Sequence, residues 1–113
     1  MKEIQIDVGV YTELMVNLKD IEIGAGEEIV LTIKNTPSPK EPAIVERHFY
    51  PEEVEGGYAF TSVTKVEIEP IESVKIQEGA VYDFSKVTAD GKQFKLTDNG
   101  RVILRKAVGD CIE

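Results

Sequence analysis

The sequence predicts an all-β domain, an antiparallel β-sandwich of about seven to nine short strands. Three observations lead there. Apolar and polar residues alternate with period two in segment after segment, as half-buried strands require. Glycine, proline and Asn/Asp-Gly turn signals interrupt these segments at intervals of roughly eight to twelve residues. No stretch of about eleven residues keeps the i, i+3, i+4, i+7 stripe of an amphipathic helix.

Taken in order, Ile4, Ile6, Val8 and Val10 alternate with Gln5, Asp7 and Gly9, so the first strand presents one apolar face. Thr12 to Leu18 allows a short helical turn, with Leu14 and Leu18 one turn apart. Gly24-Ala25-Gly26 turns the chain into a strand marked by Ile29, Leu31 and Ile33. The segment Thr36-Pro37-Ser38-Pro39-Lys40-Glu41-Pro42 reads as a stiff, extended loop that changes sheets, because each proline removes a backbone donor. Gly56-Gly57 separates an acidic stretch (Glu52, Glu53, Glu55) from a strand-like run, Tyr58 to Val63. Val66 and Ile68 mark another strand. Ile71 to Glu78 allows a second helical turn that Gly79 would end.

Tyr82 and Phe84 alternate with Asp83 and Ser85, and Asp90-Gly91 suits a two-residue type I′ hairpin. Phe94 and Leu96, then Val102 and Leu104, complete the pattern. Asn99-Gly100 is either a second hairpin turn or a bulge inside one long final strand from Lys92 to Lys106. In the second case that strand's outer edge becomes a natural docking edge. No repeat, low-complexity tract or linker divides residues 1–113, so a single domain is expected.

A chain of 113 residues, 42% of them apolar, can bury one core without disulfide or metal. Its 21 acids against 13 bases give a net charge of −8. Such a surface repels phosphate backbones and anionic lipids, so neither nucleic acid nor membrane is an expected partner. No apolar run reaches the ~20 residues that span a bilayer. Met1-Lys2-Glu3-Ile4-Gln5 lacks the apolar core of a signal peptide, which points to cytoplasmic synthesis. The sole cysteine, Cys111, leaves no internal disulfide.

Catalytic signals are sparse. The single histidine, His48, has no glycine elbow or recognisable nucleophile to serve, and a structural or surface role is expected. Zinc sites need several Cys and His. Asp83, Asp90 and Asp98 are too widely spaced for a calcium loop. No metal or other cofactor is therefore expected, and no enzyme activity. The acidic groups Glu52, Glu53, Glu55 and Glu67, Glu69, Glu72 read as solvated faces and loops. Gly24-Ala25-Gly26 lacks the lysine–serine pair of a phosphate loop. Two features suit a binding surface. Pro37 and Pro39 would preorder their loop and lower the entropy cost of docking. Arg47, Phe49 and Tyr50 combine residue types enriched at interface hot spots, although a core role for Phe49 and an edge-capping role for Tyr50 is the favoured reading. Two other readings stay open: a small-ligand or carbohydrate module stacking on Tyr11, Tyr50 and Tyr58, and an enzyme pairing Glu67 with Glu69 or Asp83.

The order of the pieces carries one resemblance. Gly26-Glu27-Glu28-Ile29-Val30-Leu31-Thr32-Ile33-Lys34 is followed by Val66-Glu67-Ile68, then Gly79-Ala80-Val81-Tyr82-Asp83-Phe84, then Ala89-Asp90-Gly91-Lys92 and a last strand ending near Val108. Over roughly residues 26–108 this resembles the N-terminal immunoglobulin-like domain of upper baseplate proteins of phages and prophages of Gram-positive bacteria. The resemblance implies an immunoglobulin-like sandwich and a non-catalytic virion structural role. Its partners would be other virion subunits or further copies of itself, as a homo-oligomer.

Overall fold

A computed structural model describes residues 3–96 and 100–106. These residues form ten strands and one helical turn, an all-β fold. The strands are β1 (Ile4–Val8), β2 (Thr12–Val16), β3 (Glu28–Lys34), β4 (Val45–Phe49), β5 (Glu52–Val54), β6 (Gly57–Ala59), β7 (Thr64–Ile68), β8 (Val81–Val87), β9 (Gln93–Lys95) and β10 (Gly100–Lys106), with α1 (Pro70–Ser73) between β7 and β8. The main sheet runs β1-β10-β8-β3-β4, with β9 also on β8. A second sheet holds only β2 and β7, and β5 and β6 form a separate hairpin.

The main sheet is mixed, not antiparallel as expected: β1 runs parallel to β10, from Ile4 opposite Val102 to Val8 opposite Lys106. Period-two alternation specifies a buried face and is blind to strand direction. These two strands are also joined by nearly the whole chain, so no tight turn forces them antiparallel. Both β9 and β10 run antiparallel to β8 on the edge away from β3. Gly100 therefore does not reverse the chain. Lys95 faces Ser85 and Gly100 faces Tyr82, so five steps here match three on β8. Asp98, Asn99, Val108 and Cys111 lie outside the described residues.

The first strand ends earlier than its alternation suggests. Gly9 takes φ +82° and donates its N–H to Ser73 Oγ at 2.8 Å, leaving Val10 exposed. The chain then crosses to the second sheet, and Thr12 Oγ1 accepts the Asp7 N–H at 3.1 Å. Residues 12–16 are a strand, not a helical turn: Leu14 faces Val66 and Thr12 faces Ile68 across the ladder to β7. The proline loop is neither extended nor sheet-changing. β3 and β4 are antiparallel neighbours, and the Glu41 N–H closes a turn on Ser38 O at 3.0 Å. Hydroxyls of Thr36 and Ser38 accept backbone N–H groups two residues on, folding the loop despite its prolines.

The acidic stretch is itself a strand, since Glu52 faces Ala59 and Val54 faces Gly57 in the β5–β6 hairpin. That hairpin and the split final strand lift the count above nine. Around Asp90-Gly91 the hairpin forms with a different turn. Thr88 N–H bonds Lys92 O at 2.8 Å, and of the residues between them only Gly91 has positive φ, +89°. This is a three-residue loop closing on a left-handed glycine.

One hydrophobic cluster joins the sheets. Ile29, Leu31, Ile33, Val45, Tyr82, Phe84, Ala80, Val102 and Ile6 from the main sheet and its flank meet Val66 and Ile68 of β7. Alternation puts these residues on inward faces, so both sheets turn one face to a common core.

Candidate binding groove

The two sheets are unequal in width. Six strands of the main sheet are covered by two, so β2 and β7 cannot span the whole inner face. Among the described residues the uncovered margin lies between β2 on one side and β1 and Leu96, the residue after β9, on the other. There a groove of about 920 Å³ opens, walled by Ile4, Leu14, Val16, Ile21 and Leu96 over Leu31, Tyr82 and Phe84.

Each wall has a local cause. Leu14 and Val16 share the inward face of β2. After β2, Asn17 Oδ1 accepts the Lys19 N–H at 3.0 Å, and the Ile21 N–H donates to Leu18 O at 3.1 Å. This turn buries Leu18 and stands Ile21 against the groove. On the other side Phe94 faces Lys86 across the ladder, and the Leu96 N–H donates to Phe84 O at 2.8 Å. Phe94 and Leu96 thus share the inward face with Phe84, yet they are 51% and 37% exposed because no strand of the second sheet covers them. The floor is rigid: Tyr82 and Phe84 pack edge to face with ring centroids 6.0 Å apart. Burial lifts the Tyr82 hydroxyl pKa above its ordinary value.

The groove's charged lining is acidic, consisting of Glu3 and Asp20. Glu3 Oε2 also meets Arg101 at 3.5 Å, an exposed pair of little energetic weight.

The residues singled out from the sequence lie elsewhere. Arg47 is half-buried and committed to internal partners. Its guanidinium reaches both carboxylate oxygens of Glu72, at 2.6 and 2.7 Å, and Glu67 O at 3.1 Å. Burial pushes the Glu72 pKa up, but the Arg47 bonds and the Glu69 N–H outweigh it and hold the carboxyl below its ordinary range. Phe49 is half-buried against the core, whereas Tyr50 is 66% exposed. Pro37 and Pro39 are exposed in the loop that precedes β4, and Tyr50 follows β4, so that strand separates the two features. His48 stands on the outer face between Glu28 of β3 and Glu46, which it meets at 2.8 Å.

Tyr11, Tyr50 and Tyr58 sit before β2, after β4 and within β6. Glu67 and Asp83 face outward from different sheets. Hydrogen bonds from Tyr11 and Lys65 hold the Glu67 carboxyl below its ordinary pKa, the opposite of what a general acid requires. Among the described residues no three His, Cys, Asp or Glu side chains gather as metal ligands.

Sequence reasoning missed the groove because it assigned residues 12–18 to a helical turn. The signal was present: Leu14 and Val16 at period two, with Phe94 and Leu96 apolar on a short edge strand. No protein-family model matches this sequence, and a search of curated proteins finds no significant match.

Proposed function

We propose that this chain is a non-catalytic protein-binding module, an immunoglobulin-like β-sandwich that docks a partner protein at the groove between β2 and Leu96, the residue after β9. The observation that carries the reading is the apolar margin left open by the narrow second sheet, with Phe94 and Leu96 exposed on an inward face. Apolar surface of that kind, rimmed by polar residues, marks interaction sites.

The pairing pattern supports the sandwich. Immunoglobulin domains of the variable type place their last strands and two central strands in one sheet, and the second strand with a later one in the other. Here β10, β8, β3 and β4 are neighbours in one sheet, and β2 pairs β7 in the other. Together with the resemblance to phage upper baseplate domains, this favours a virion structural role in which the domain holds a neighbouring subunit. The test is co-purification of the tagged chain with the products of adjacent genes, repeated with Leu96→Lys. Capture of a tail or baseplate subunit that the substitution abolishes supports the reading. Capture that Leu96→Lys leaves unchanged rejects the groove, and a glycan or metabolite retained by Tyr50 or Tyr58 rejects the protein-binding class.

A further inference from the structure

We infer that a second copy of this chain docks on the outer face of the main sheet, over β9, β8, β3 and β4, as a two-fold dimer that leaves the groove of each copy open. The ladder registers define this face. Lys95 pairs with Ser85, Ser85 with Val30 and Val30 with His48, so these four residues form one row across the sheet. Their chain neighbours Phe84, Ile29 and Leu31 belong to the core on the other face.

Neutrality is the first argument. Of the described outward positions on the main-sheet strands, Asp7, Glu28, Glu46 and Asp83 are acidic. Lys34, Lys95, Arg101 and Arg105 are basic. These charges cancel, so the acidic surplus that gives the chain −8 lies elsewhere. Two copies therefore repel each other least when they meet through this face.

Placement is the second argument, and it selects a second copy as the occupant. Arg101 and Arg105 are answered within their own copy by Glu3 and Asp7. Lys95 is exposed, and among the described residues no carboxylate lies within ion-pair reach of it. At the other end of the row Glu28 and Glu46 flank His48, which bonds both. A two-fold axis along the strands, between Ser85 and Val30, carries Lys95 of each copy over the Glu28–His48–Glu46 cluster of the other. Such a patch is self-complementary, as an isologous interface requires.

Shape is the third. Ser85 and Val30, at the centre of the row, are 4% and 6% exposed, so nothing tall separates the facing sheets. They can approach to the usual spacing of about 10 Å. The patch is roughly 15–20 Å across. That is small for a specific interface, so the dimer should form in the range of about 10–100 μM.

The test is sedimentation velocity on the full chain from about 1 μM to about 1 mM. A monomer–dimer equilibrium that weakens as salt rises is expected. Lys95→Glu and Glu46→Lys should each weaken it at least ~10-fold while the circular dichroism spectrum stays unchanged. An equimolar mixture of the two variants should regain the dimer, because each copy then meets opposite charge at both contacts. Mixing cannot mend a fold lost in either variant. A chain that stays monomeric throughout, self-association that neither substitution weakens, or a mixture that stays monomeric overturns the inference. Self-association that Leu96→Lys abolishes and Lys95→Glu leaves intact overturns it in favour of the groove. The groove reading is independent of these outcomes, since neither Lys95 nor Glu46 lines the groove.

Discussion

At position 100 the sheet has room for no side chain. A Cβ built on Gly100 would lie 2.3 Å from Tyr82 Cε2, because the Tyr82 ring lies over the glycine directly opposite it. Tyr82 is 1% exposed and cannot swing away without opening the core. Gly100→Ala should therefore destabilise the fold by about 1–3 kcal/mol, the usual cost of overpacking, read as a lower urea midpoint. His48 makes a weaker, titratable contribution. Hydrogen bonds to Glu28 first, and to Glu46, raise its pKa above the ordinary 6.5. A raised folded-state value means stability that is complete below about pH 6.5 and fades as pH climbs through the folded pKa. The thermal midpoint of the wild-type chain should drop between about pH 6 and pH 8 more than that of His48→Gln, by a small margin because the site is exposed. The sequence showed that His48 was alone, but not that β3 and β4 would set it between two carboxylates.

Elements here are tied together by polar side chains that periodicity cannot reveal. Arg47 occupies an inward-facing position on β4, yet it reaches the helical turn through Glu72 and the backbone of β7 through Glu67 O. Asn35 does similar work after β3, accepting the Gln77 N–H at 2.8 Å and donating to Lys75 O at 3.2 Å. Arg47→Ala should cost about 1–3 kcal/mol, since it leaves the half-buried Glu72 carboxylate without its charge-assisted hydrogen bonds. A double-mutant cycle with Glu72→Gln should return a coupling of at least ~0.5 kcal/mol, and additive effects would mean that the pair carries no stability. Strands whose apolar residues alternate cleanly, such as β3, β7 and β8, were legible in the sequence. Residues 12–16 were not: Leu14 and Leu18 fit one helical turn as well as Leu14 and Val16 fit a strand, and pairing with β7 decided between them. The β5–β6 hairpin was illegible for a different reason. Its strands are three residues each and mostly exposed, so they leave no apolar face to read.

Over the whole molecule the decisive feature is the mismatch between a wide main sheet and a two-stranded cover. It buries Ile29, Leu31 and Ile33 completely, yet leaves the β9 margin open. Alternation and turn signals predicted an all-β domain, and the strands and sheets agree with that. Those signals could not locate the groove, because which part of a sheet stays uncovered depends on strand order, and strand order follows from long-range pairing. The measurement that bears most directly on the groove as docking site is amide hydrogen exchange on the complex with a captured neighbouring subunit. Binding at the groove should slow exchange in residues 14–18 and 93–96 and leave residues 45–50 unchanged. Slowing confined to residues 45–50, with the groove segments unaffected, would contradict it.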